Sequence, residues 1–177
     1  MIRLILFNKP FDVLTQFTDK DGRKTLKKFI DIKGVYPVGR LDRHSEGLVI
    51  LTNSSYLQDR ISSPRHRLEK TYWVQVENIP SNQNLLLLQN GIELNDGFTR
   101  PAKIRLIESP NIWSREPPIR QRKYIPTQWL GLKITEGKNR QVRRMTAALG
   151  HPTLRLIRYA IGEWTINNLA CGHFRER

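Results

Sequence analysis

The residues best equipped for chemistry lie in Gly39-Arg40-Leu41-Asp42-Arg43-His44-Ser45-Glu46-Gly47, where one carboxylate stands between two guanidinium groups. Asp42 in such a setting is ordinarily a turn residue or half of a surface ion pair. Two features argue for more. The segment is bounded by glycines and leads straight into Leu48-Val49-Ile50-Leu51, which places Asp42 at the rim of a core. Arg40 and Arg43 are also positioned to keep a partly buried carboxylate ionised. An ionised carboxylate suits a nucleophile or a base. Glu46, four residues on, invites comparison with the paired carboxylates of a glycosidase, but a cationic setting opposes the raised pKa that a general acid needs. His44 reads either as a phosphate-contacting or inserting side chain or as an exposed turn histidine.

A second concentration of charge follows. Between Gly137 and Gly162 there are six cations (Lys138, Arg140, Arg143, Arg144, Arg155, Arg158) and no acid. If Asn139–Leu149 is a helix, Arg140, Arg143 and Arg144 share one face and repel each other. Val142, Met145, Thr146 and Leu149 then form a narrow apolar stripe on another. A solvated face screened by salt is one explanation. The other is that phosphates, or a buried carboxylate, supply the missing negative charge.

The whole chain supports the second. Its 177 residues carry 30 Lys and Arg against 16 Asp and Glu, a net charge of +14, with 38% hydrophobic residues. That is enough apolar material for a core, and enough charge to point to a polyanion, nucleic acid before membrane. No apolar run approaches the roughly 20 residues of a membrane span. The single cysteine, Cys171, excludes an internal disulfide, and the four dispersed histidines lack ligand spacing, so no metal site is expected and a reducing cytoplasm is.

The elements that must position these residues are mostly strands. Ile2–Phe7 reads as a strand stopping at Asn8-Lys9-Pro10, Tyr36–Leu41 and Gly47–Thr52 as extended, and Leu68–Glu77 as a strand with Lys70, Tyr72, Val74 and Val76 on one face. Pro101–Glu108, Thr127–Thr135, Thr153–Tyr159 and Glu163–Ile166 complete the extended set. Helical turns are expected at Thr25–Ile30 and Tyr56–Ile61, and a helix after Ser81, its cap, to about Gln89. Residues 109–126, with four prolines and Arg115, Arg120, Arg122 and Lys123, read as a basic extended loop or hairpin whose tip tracks a phosphate backbone. With no βαβ rhythm, the fold class is α+β with a mostly antiparallel mixed sheet and a few flanking helices. One domain of 177 residues, with room for two sub-lobes, is expected.

Gly39-Arg40-Leu41-Asp42, with Ser45, Gly47-Leu48 and Leu51-Thr52-Asn53 after it, resembles the signature of the bacterial ribosomal RNA pseudouridine synthases. The subfamily is the one that modifies single uridines of 16S and 23S RNA, and the likeness is greatest to a large-subunit member. Glu69-Lys70-Thr71-Tyr72 is similar to that family's Lys-x-Tyr motif. Glu136-Gly137-Lys138-Asn139-Arg140-Gln141-Val142-Arg143-Arg144-Met145 is similar to its closing arginine motif. The ordered set covers the chain from about Phe7 to Tyr159. Relatives often carry an N-terminal S4-type RNA-binding module, and with motifs starting near residue 39 none is expected in these 177 residues.

The resemblance implies an isomerisation: the uridine N1–C1′ bond breaks, the base turns, and C5 joins C1′. No atoms are gained or lost, so neither cofactor nor metal is required. It implies Asp42 as the catalytic carboxylate, leaving open whether it attacks C1′, adds to the uracil or takes the C2′ proton. It implies Arg143 as the cation paired with Asp42, Arg144 taking that place if the helix is turned by one residue. Tyr72 is implied as the aromatic against the target base, assisting proton removal at C5, with Val142 packing beneath base or tyrosine. Lys70, Arg40, Arg43, Lys138, Arg140 and Arg144 are the expected substrate contacts. The implied partner is 23S ribosomal RNA, as a stem-loop whose uridine would be extruded at a cost of a few kcal/mol, and the chain is expected to act as a monomer. The rivals are a ribosomal or assembly protein that binds RNA without catalysis, which has no need of Asp42, and a nuclease or glycosidase, which needs a His pair, metal cluster or second carboxylate.

Overall fold

The computed structural model describes residues 1–177. In chain order it has β1 (Leu4–Lys9), β2 (Tyr36–Pro37), β3 (Glu46–Thr52), α1 (Ser55–Ser62), β4 (Lys70–Glu77), α2 (Asn82–Asn90), β5 (Glu93–Leu94), β6 (Gly97–Phe98), β7 (Lys103–Ile107), β8 (Thr127–Ile134), α3 (Gln141–Ala148), β9 (Thr153–Ile161), β10 (Trp164–Thr165) and β11 (Phe174–Glu176). This is the expected α+β class. The chain forms two compact units, one from Met1–Leu68 with Ile157–Arg177 and one from Glu69–Leu156. No helix is long and apolar enough to cross a membrane.

In the first unit β3 is flanked by β1, antiparallel, and by β9, parallel, with β11 beyond β1. Every residue of β3 is buried, as a continuous apolar run predicts for a strand covered on both faces. Gly47 allows the parallel contact. Its φ of +104° is out of reach for most side chains, and a Cβ there would run into the Arg158 backbone. Ile5, Phe7, Leu26, Leu41, Val49 and Leu51 form the core on one side of these strands.

Two expectations for this unit need correction. β1 does not stop before Asn8: it continues through Asn8 and Lys9, which pair with Leu48 and Gly47 of β3. Both polar side chains are fully buried, and the nitrogen of each is hydrogen-bonded. Asn8 Nδ2 donates to the Leu169 carbonyl at 2.9 Å, and Lys9 Nζ to Pro10 and Arg43 carbonyls. The extended segment expected over Tyr36–Leu41 is only two residues long. After Val38 N–H donates to Ile50, Gly39 (φ +69°) turns the chain away from the sheet.

In the second unit β8 lies antiparallel between β4 and β7, and the start of β9 follows beside β4, where Glu77 N–H donates to Pro152. The β4 alternation is as read, with Tyr72, Val74 and Val76 buried together with Leu130, Leu132, Ile134, Val142 and Met145. α2 starts on its Ser81 cap, whose hydroxyl accepts from Asn84 N–H, and ends at Gly91. The hairpin β5–β6 was not expected, although Asn95-Asp96-Gly97 is a turn signal. Residues 109–126 form a loop, not a hairpin.

The arginine helix also needs correction. α3 begins at Gln141, and Arg140 sits before it at φ +50° in the left-handed region. Gln141 causes this. Its buried side chain accepts from Lys138 N–H at 3.1 Å while its own N–H returns to the Lys138 carbonyl, closing a turn before the helix starts. Arg140 is therefore off the helical face that Arg143 and Arg144 occupy.

Candidate active site

Asp42, Arg40 and Arg43 lie in the first unit. Asp42 is half-buried, Arg40 is exposed, and Leu41 between them is plugged into the core. The turn around Asp42 is held at three successive residues. Thr15 Oγ1 donates to the Leu41 carbonyl at 2.5 Å and accepts from Leu41 N–H at 3.3 Å. The Asp42 carbonyl accepts from Ser45 N–H at 3.0 Å. The Arg43 carbonyl accepts from Asp12 N–H at 2.8 Å and from Lys9 Nζ at 3.2 Å, while the Arg43 guanidinium pairs with the Asp12 carboxylate. Little backbone freedom remains on either side of Asp42, which is the preorganisation that a reacting group requires.

The charges behind this turn are buried. Burial pushes the Lys9 ammonium down to about pKa 7, opposed by the nearby Glu46 carboxylate and assisted by Arg158, with Asp42 and Asp12 adding smaller upward pulls. Glu46 is almost fully buried, and Arg158 Nε donates to the Leu48 carbonyl at 2.9 Å. Glu46 therefore belongs to the charge set around Lys9. His44 stacks on Phe11, with ring centroids 5.2 Å apart.

The second unit holds the remaining candidates. Tyr72 is buried on β4 opposite Leu132, in the same apolar cluster as Val142. Lys70, two residues earlier, brings its ammonium against Gly137, where a Cβ would stand 3.3 Å from Nζ. The Lys-x-Tyr strand and the arginine motif thus meet without a side chain between them. Arg143, half-buried, is in the first turn of α3. The loop before that turn is braced by the buried Glu136, whose Oε2 accepts from Arg100 N–H at 2.6 Å.

Two of the expected substrate contacts are engaged within the unit. Arg144 forms a bidentate pair with Asp96 at 2.8 and 3.1 Å, which holds the Asp96 carboxyl below its usual range. Lys138 Nζ points at the carbonyls of Asp96 and Phe98, at 3.5 and 3.4 Å. Arg140 is exposed. For Arg144 the negative charge missing from the helix is therefore a carboxylate, brought from the β5–β6 turn.

Sequence reasoning missed Lys9, Asp12, Thr15 and Gln141. Lys9 had a usable signal, because it continues the Ile5, Phe7 alternation onto the same strand face. Asp12 and Thr15 had none, since their partners lie 31 and 26 residues away.

The family model described as RNA pseudouridylate synthase matches residues 3–148. The chain is 55% identical over 174 residues to the ribosomal large subunit pseudouridine synthase E of Vibrio parahaemolyticus, covering 98% of this chain and 73% of that one. It is 51% identical to the protein of the same name from Xanthomonas campestris, covering 97% and 94%. A solved structure titled as a pseudouridylate synthase superposes with a TM-score of 0.83 at 28% identity, over all of this chain and 70% of the other. With the motifs, the braced carboxylate turn and these likenesses together, the chain belongs to the RNA pseudouridylate synthase family.

Proposed function

We propose that this chain converts a uridine of 23S ribosomal RNA to pseudouridine, with Asp42 as the catalytic carboxylate. The observation that carries the assignment is the clamp on the Asp42 turn: Thr15, Lys9 and Asp12 all spend polar groups on the backbone at Leu41 and Arg43. A protein that only binds RNA gains nothing from fixing a carboxylate among cations. The large-subunit names of the relatives support the choice of RNA.

In this reading Asp42 acts on the nucleoside while the N1–C1′ bond breaks and the C5–C1′ bond forms. The C5 hydrogen leaves as a proton, Tyr72 lies against the base and assists its removal, and N1 gains a proton. Arg143 is the cation that complements Asp42, and Val142 packs beneath base or tyrosine. Lys70, Arg40, Arg43, Lys138 and Arg140 contact the RNA. Arg144, paired with Asp96, is a further RNA contact. The substrate is a stem-loop from which the uridine is extruded, and the enzyme works as a monomer in the cytoplasm.

The test uses unmodified 23S RNA carrying tritium at uridine C5, with wild type and Asp42→Asn compared directly. Joining C5 to C1′ expels that hydrogen, so tritium should enter water with wild type alone. Binding without release by wild type, on free RNA and on ribosomal subunits alike, would establish the non-catalytic RNA-binding reading instead.

A further inference from the structure

The connection between β7 and β8 is long, irregular and held in place. Arg115 donates to the carbonyls of Pro117 at 2.8 Å, Pro118 at 3.2 Å and Leu154 at 3.1 Å. Arg155 donates to the Trp113 carbonyl at 3.0 Å, and its guanidinium carbon lies 5.7 Å from the Trp113 ring centroid. Arg122 grips both oxygens of the Glu77 carboxylate, at 3.1 and 2.5 Å, and Asn78 N–H donates to Pro126. Long loops without secondary structure are commonly functional, and one tied at both ends and in the middle loses little freedom on binding.

The longest exposed stretch of the loop is Arg120-Gln121-Arg122-Lys123-Tyr124, tied only through Arg122. It contains three cations and no acid. Tyr124 is 87% exposed, and Lys123 Nζ lies 5.4 Å from its ring centroid. Arg122 is neutralised by Glu77, so Arg120, Lys123 and the Tyr124 ring are what the loop offers outward. An exposed ring among cations matches a nucleotide, whose base stacks on the ring while its phosphates meet the charges.

We propose that Arg120, Lys123 and Tyr124 form a second RNA contact, which holds the strand flanking the target uridine. Within this unit the β4–β8 register sets the scale. Tyr72 pairs with Leu132 and Glu77 with Thr127, so the base of the loop lies about 17 Å along the strand from Tyr72 at ~3.4 Å per residue. On a nucleic acid strand that is on the order of five nucleotides. The contact therefore reads RNA outside the reacting nucleoside and favours substrates with an ordered flank. This rests on the RNA-substrate reading but not on Asp42.

The experiment measures the affinity of an unmodified 23S RNA transcript by filter binding between about 50 and 200 mM KCl. Tyr124→Ala should weaken binding about tenfold with little change in salt slope, and Tyr124→Phe should restore it. The double variant Arg120→Ala, Lys123→Ala should weaken binding and lower the slope by about two phosphate contacts. Unchanged affinity and slope in these variants, with folding confirmed by circular dichroism, would overturn the proposal. So would a loss seen only on ribosomal particles and not on naked RNA, which would assign the loop to a protein partner. Tritium release is scored separately. Weakened binding without wild-type release would leave the loop contact standing and sink the catalytic reading, and the reverse pattern would do the opposite.

Discussion

Thr15 occupies both backbone polar groups of Leu41, donating to its carbonyl at 2.5 Å and accepting from its N–H at 3.3 Å. One buried hydroxyl thus fixes the peptide units on either side of the residue preceding Asp42. A side chain that satisfies donor and acceptor of the same residue acts as a two-point clamp, setting the rotation of the turn as well as its position.

Removing that hydroxyl should cost turnover more than fold. In Thr15→Val the Leu41 groups lose their partner, at about 1–3 kcal/mol of stability. The Asp42 turn is then free to shift, and displacements near 1 Å cost on the order of a hundredfold in rate. Tritium-release kcat should fall by ~10- to 100-fold with RNA affinity preserved, and Thr15→Ser should recover most of it. Equal kcat for Thr15→Val and wild type would show that the clamp is structural only.

The buried Lys9 makes a prediction about pH. Its folded pKa is lowered to about 7 from 10.5, so between these values the unfolded chain holds a proton that the folded chain lacks. Stability from this group therefore rises with pH across that window, and the burial penalty is present in full below it. Its charged surroundings are Glu46 from β3, Arg158 from β9, and Asp42 and Asp12 from the adjoining turns. Measured by urea denaturation, wild type should gain ~1–3 kcal/mol on Lys9→Met between pH 7 and 9. A constant difference between the two across that range would contradict the burial effect. The neutral amine still has two hydrogens for the carbonyls of Pro10 and Arg43, so the turn survives deprotonation.

Gly47 is where a single methyl should do the most damage. At φ +104°, with the Arg158 backbone occupying the space a Cβ needs, Gly47→Ala forces β3 and β9 apart or strains both. A loss of ~4 kcal/mol or more in denaturant unfolding is expected, at the upper end for single substitutions. A loss below ~1 kcal/mol would mean that the parallel pairing tolerates separation.

The Arg144–Asp96 pair allows a gain-of-binding test. Asp96→Asn takes the carboxylate away from Arg144, whose Nε still donates to the Asn139 carbonyl at 2.9 Å, and the loss of this half-exposed pair should barely move the melting temperature. RNA affinity should increase, and the salt slope should steepen by about one phosphate contact. An unaltered slope would remove Arg144 from the RNA-facing surface altogether.

The helix after Ser81, the buried strand β3 and the inward face of β4 could all be read from the chain. A cap hydroxyl, an apolar run and a period of two are interactions within one turn or one pleat, and neighbouring residues suffice to express them. The three motifs likewise nominated Asp42, Tyr72 and Arg143 for the proposed site, because residue types at fixed spacing are a local property. Tertiary structure decided what holds them. The Leu41 clamp comes from Thr15, the Arg43 anchor from Lys9 and Asp12, and the counter-charge of Arg144 from Asp96, with 26 to 48 residues between partners. It also ended the helical run short of Arg140 and carried β1 through Lys9, against the local polarity of Asn8-Lys9. Burying a polar group is costly unless a partner reaches it. For these residues the partners come from distant stretches of chain, which only the fold brings together.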